Sequence, residues 1–132
     1  MSRRELRTNV FLLLFQTFYY DRGEMEEQTA LFLELLEKPM DEHDTEYVKN
    51  KVDCIMDKMP EIDKAIDEKA ENWKINRMNY VDLTLIRLAV YEMRYEEDVP
   101  TAVAINEAVE LAKLYGGDDS YSFVNGLLSK LL

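Results

Sequence analysis

Three arginines open this chain, at Arg3, Arg4 and Arg7, and their spacing puts Arg3 and Arg7 on one face of a helix. Guanidinium forks match phosphate oxygens, so such an arm either contacts a nucleic-acid backbone or stands as solvated charge at a helix end. Arg87 is a different case, set inside the apolar run Leu83 to Val90. A guanidinium there needs a carboxylate or carbonyl partner. A structural ion pair is the first reading, and an RNA phosphate at the rim of the core is the second. Asp118 and Asp119 stand just before a helical pattern, where capping accounts for paired carboxylates. Phe123 lies one helical turn beyond Asp119. Phe15, Tyr115, Tyr121 and Phe123 fall near helix junctions and have the flat faces on which bases stack, although most are expected in the core.

Catalytic chemistry finds little support. Gly116-Gly117 lacks the Lys-Ser/Thr of a phosphate-binding loop, and no serine has a histidine beside it. The one histidine, His43, sits in an acidic turn segment as an expected solvated residue. The one cysteine, Cys54, rules out an internal disulfide, forms no zinc cluster with a single His43, and reads as a partly buried apolar residue of a reducing cytoplasm. No cofactor, metal or catalytic residue is expected. The longest apolar run near the start, Val10 to Phe15, is too short to span a bilayer, so no membrane is expected either.

The formal net charge is −11, which by itself opposes nucleic-acid binding. Its distribution changes the picture. Glu24 to Glu71 holds 16 acids and 6 bases, and the remainder holds 11 acids and 10 bases. The acidity is confined to the middle, away from the arginines, and local patches rather than the sum set the field a ligand meets. The acidic middle reads as a solvated face first and a docking face for a basic protein second.

The elements that position these residues are helices. Four Gly and three Pro in 132 residues leave few breaks, and Leu, Glu, Lys, Ala and Met dominate. The periodicity predicts seven. The first runs from Arg3 to Tyr20. The second covers about Met25 to Glu37, with Leu31, Phe32, Leu35 and Leu36 as its buried stripe. The third ends at Lys58, and a fourth starts at Pro60. The fifth spans about Tyr80 to Arg94 and is apolar nearly all round. The sixth follows Pro100, which suits a first turn, and stops at Gly116-Gly117, where glycine takes the left-handed conformation. Asp118, Asp119 and Ser120 cap the seventh. No repeat and no strand is visible, so the fold class is all-α in a single domain.

The combination of RRELRTNVFLLLFQ, YVDLTLIRLAVYEM, DVPTAVAINEAVELAKLYG and DSYSFVNGLLSKL resembles the NusB family of bacterial transcription antitermination factors. The likeness covers both ends and nearly all of Trp73 to Leu131, while Glu24 to Lys58 agrees only in pattern. It implies an all-α fold of two packed three-helix sub-bundles plus one further helix, divided here at about residues 1–72 and 73–132. It also implies a cytoplasmic, non-enzymatic protein. Such a protein binds single-stranded boxA RNA of ribosomal RNA operon transcripts together with the ribosomal protein NusE, and joins the elongating RNA polymerase. Some relatives dimerise, so a homodimer is among the implied assemblies. On the same resemblance the RNA-facing residues are Arg3, Arg4, Arg7, Phe15, Asp82, Arg87, Asp119 and Phe123. Glu5 stands where a further arginine is common, which thins the basic arm. Two other readings share the fold: a protein-only docking module without RNA, and an accessory domain of an rRNA methyltransferase. The latter needs a fused catalytic domain, and the chain ends at Leu132 without one.

Overall fold

The structure, a computed structural model, describes residues 1–132. It is all-α, with six α-helices and two short 3-10 turns and no strand. Two compact units divide it, Met1–Cys54 and Ile55–Leu132. That division falls inside a helix, earlier in the chain than residue 72. No helix is long and apolar enough to cross a membrane.

In the first unit, α1 (Arg3–Phe15) starts at Ser2, whose side chain accepts from the Glu5 amide while the Glu5 carboxylate accepts from the Ser2 amide. This reciprocal box fixes where the helix begins. Val10, Phe11, Leu13 and Leu14 are buried. The helix ends sooner than periodicity predicts, because Gln16–Phe18 tightens into a 3-10 turn. The next helix, α2 (Arg22–Glu34), repeats the capping device with Asp21 and Glu24. Its buried stripe is not the expected one. Met25 and Thr29 are buried and Phe32 and Leu36 half-buried, whereas Leu31 and Leu35 are 47% and 73% exposed. The two stripes differ by a rotation of one residue around the helix and share only Phe32 and Leu36.

The sequence predicts separate helices ending at Lys58 and starting at Pro60. The structure corrects this: α3 (Glu42–Lys69) is one helix with Pro60 inside it. Six α-helices therefore stand where seven were expected. Proline in a helix interior removes one hydrogen bond and crowds the preceding turn. Here Ile55, Ile62 and Ile66 lie on one stripe across Pro60, and all three are fully buried. Interrupting the helix would expose that stripe, so burial outweighs the local cost. Cys54, expected partly buried, is exposed.

The second unit continues through a 3-10 turn, Ile75–Arg77, to α4 (Tyr80–Tyr95), α5 (Thr101–Tyr115) and α6 (Ser120–Lys130). These last three helices pack on one another. As its all-round apolar pattern requires, α4 is central, with Leu85, Ile86, Leu88, Ala89 and Val90 almost fully buried. Gly116 ends α5, but not in the left-handed conformation, since no residue of the chain has positive φ. Its reason is room. A Cβ at Gly116 would overlap the Ser120 side chain and lie 2.7 Å from the Ala112 carbonyl oxygen.

Candidate nucleic-acid interface

The first unit carries the arginine arm. Arg3 and Arg4 are exposed on the first turn of α1, and Arg7 is half-buried one turn on. Cations at a helix N-terminus oppose the helix dipole, at about 0.3–1 kcal/mol each where exposed. Glu5, the acid within the arm, is committed to the cap. The Ser2 amide donates to its Oε1 at 3.0 Å, and its own amide donates to Ser2 Oγ at 3.1 Å. The Ser2 backbone N–H, followed by the Ser2 side chain, holds the Glu5 carboxyl below its ordinary range. At the other end of α1, Phe15 is half-buried in an aromatic cluster. Its ring lies 6.4 Å from Phe11, 6.2 Å from Phe18 and 5.8 Å from Tyr19, centre to centre. Beside it the buried Gln16 Oε1 has no hydrogen-bond partner.

The only grouping in this unit with the composition of a metal ligand set is Asp41, His43 and Asp44, at the start of α3. Asp44 is already engaged there. Its Oδ2 accepts from the Met1 ammonium at 2.9 Å, which lowers the Asp44 carboxyl and raises the amine.

The second unit carries Asp82, Arg87, Asp119 and Phe123. Asn79 caps α4: its Oδ1 accepts from the Asp82 amide at 2.8 Å, and its Nδ2 donates to Asp82 Oδ2 at 3.0 Å. Asp82 is buried, yet its Oδ1 has no partner. A buried acceptor left unsatisfied costs free energy and calls for an explanation. Arg87 realises the first of its two sequence readings. Its Nε and Nη2 donate to Asp63 Oδ1 and Oδ2 at 2.8 and 2.9 Å, a bidentate fork from α4 to α3. The two side chains are 12% and 21% exposed.

Asp119 occupies the position before α6 but makes no side-chain cap bond, contrary to expectation. The helix start is tied instead by Ser120, whose Oγ accepts from the Gly117 amide at 3.0 Å. The Asp119 side chain is left exposed. One turn on, half-buried Phe123 borders a cleft of about 270 Å³ shared with Trp73 and Lys130. Sequence reasoning passed over Trp73 and Lys130. The available signal was an aromatic four residues before Arg77, a spacing that suits stacking. The structure places the Arg77 guanidinium carbon 4.5 Å from the Trp73 ring centre.

Comparison with known proteins gives consistent results. The sequence pattern of the NusB family matches residues 4–132. The chain is 51% identical over 130 residues to a protein of Agathobacter rectalis named Transcription antitermination protein NusB, with 98% of each chain covered. The solved structure of T. maritima NusB superposes with a TM-score of 0.85 at 35% identity, covering 99% of this chain and 90% of that one. A crystal structure of antitermination factors NusB and NusE in complex with dsRNA superposes with a TM-score of 0.79 at 27% identity, covering 98% and 94%.

Proposed function

The chain belongs to the NusB family, and on that footing we propose that it is a transcription antitermination factor. It binds boxA RNA of ribosomal RNA operon transcripts together with the ribosomal protein NusE, and the assembly joins the elongating RNA polymerase. It acts in the bacterial cytoplasm by binding alone, with no catalysed reaction and no cofactor. The observation that carries this reading is the 51% identity, over nearly the whole of both chains, to an antitermination protein. That end-to-end match favours it over an accessory domain of a methyltransferase.

The local chemistry supports an RNA role in each unit. Arg3 and Arg4 stand at a helix start where the dipole disfavours cations and where an anionic ligand removes the conflict. Arg7 extends the same arm, and Phe15 adds an aromatic face at the other end of α1. In the second unit, the exposed Asp119 offers carboxylate oxygens to base amino groups and half-buried Phe123 offers a stacking face, while Asp82, held by Asn79, and Arg87, forked onto Asp63, position α4. The strong overall negative charge suits a chain that relies on a basic partner for part of its affinity.

The test is a titration of fluorescent boxA RNA, single-stranded and as duplex, with and without NusE, across a salt series. Single-stranded RNA should bind more tightly with the partner present. Affinity should fall with salt, and Arg3→Ala/Arg7→Ala should flatten the log–log salt slope by about 1–2. A slope indifferent to the double substitution removes the arm from the site. No RNA binding in either condition leaves the protein-only docking module.

A further inference from the structure

Resting on that RNA reading, we infer that the cleft between Trp73 and Phe123 is a nucleobase pocket, which takes one unstacked base of the bound transcript. Three independent features lead there. The first is Trp73, 44% exposed in the irregular stretch after α3. Exposure of this largest apolar ring earns nothing in stability for the fold. Arg77 covers the ring at 4.5 Å yet does not border the cleft. The indole is therefore steadied from one side while another part of it lines the opening.

The second feature is Gly126, which borders the same cleft from the middle of α6. Glycine inside a helix is less favourable than alanine by roughly 0.5–1 kcal/mol. Apart from its chain neighbours and its own helix backbone, nothing lies within 4 Å of the place where its Cβ would be, so neither packing nor backbone conformation requires glycine. What its missing side chain preserves is the open volume.

The third feature is the polar lining. Asn72 offers an amide donor and acceptor, Glu71 a carboxylate and Lys130 an ammonium. The two charges offset, so the cleft is not an anion site. Two aromatic walls, an amide, an acceptor for an exocyclic amine and a cation for the adjoining phosphate are together the chemistry of a nucleotide held by its base.

The chain has a single tryptophan, so tryptophan emission, excited selectively over the eight tyrosines, reports on this cleft. The full-length protein is titrated with single-stranded boxA RNA, following Trp73 emission together with RNA anisotropy. A saturable emission change that tracks the anisotropy curve is expected. Trp73→Leu and Gly126→Met should each weaken binding about 5- to 140-fold, the loss of one base stack. Trp73→Phe should restore most of it. Gly126→Met meets open space and gains helix propensity, so its melting temperature should equal or exceed that of the parent. RNA bound at parental affinity by Gly126→Met, with unchanged Trp73 emission in the parent, overturns the pocket and leaves the RNA reading intact. The same is true if NusE without RNA shifts Trp73 emission, because the occupant is then a protein side chain. Failure of the parent to bind RNA at all defeats the RNA reading and the pocket with it.

Discussion

Arg3 and Arg4 stand exposed on the first turn of α1, whereas Arg87 is largely withdrawn from solvent in α4 and forked onto Asp63. The residue type is the same and the physical consequence is opposite. The exposed pair stays hydrated and works over the range of a Debye length, so it contributes salt-dependent attraction with little effect on stability. The guanidinium of Arg87 has given up most of its water and is held by the Asp63 carboxylate, so loss of that pair is felt by the fold before any ligand is present. Proximity to a proposed RNA surface therefore does not decide what an arginine does. Its desolvation does.

The largest effect expected of this contrast lies in the core that carries Arg87. Ile86 is completely buried beside it, and Ile86→Ala should cost about 2–5 kcal/mol in denaturant unfolding. The same measurement on Arg3→Ala should stay within about 0.5 kcal/mol. An Ile86→Ala cost below about 1 kcal/mol would mean that α4 is looser than its burial implies.

Next in size is the fork itself. Asp63→Ala leaves the Arg87 guanidinium without the carboxylate it is forked onto, and removing one side of a buried pair costs about 3–5 kcal/mol. Both side chains retain some solvent contact, which lowers the expectation to about 1–3 kcal/mol. The RNA salt slope of this variant should match the parent's. A flattened slope with unchanged stability would move Arg87 into the same class as the amino-terminal arginines.

How much of this was legible in the sequence depends on how many stripes each helix offered. α4 is apolar almost all round, and its observed span, Tyr80–Tyr95, is within a residue of the expected one. α2 offers two overlapping stripes, and contacts made elsewhere in the chain choose between them, so Leu31 and Leu35 were misassigned. Pro60 reads locally as a boundary. Only the burial of Ile55 and Ile66 on either side shows why the helix continues through it. Arg87 announced its need for a carboxylate, but the carboxylate sits on another helix, 24 residues away in sequence. The Trp73 cleft was invisible for a similar reason. Phe123 and Gly126 meet Trp73 only after the chain has folded back, and no local pattern encodes that meeting.

The smallest expected effect concerns the arm's own acid. Glu5 is fully exposed, and the Ser2 backbone N–H keeps its carboxyl below the ordinary glutamate range. A group depressed in the folded state contributes stability above its unfolded value, and that contribution is lost as pH falls through the folded value. Acidification from about pH 6 toward pH 3 should therefore release the Ser2–Glu5 box. Amide hydrogen exchange in the first turn of α1 should quicken relative to the middle of α4, over and above the common pH dependence of exchange. Ser2→Ala removes the partner, so its first turn should exchange faster already at pH 6 and respond less to acid. If parent and variant respond alike, the box is not what holds the helix start, and the arginines are positioned by the buried face of α1 alone.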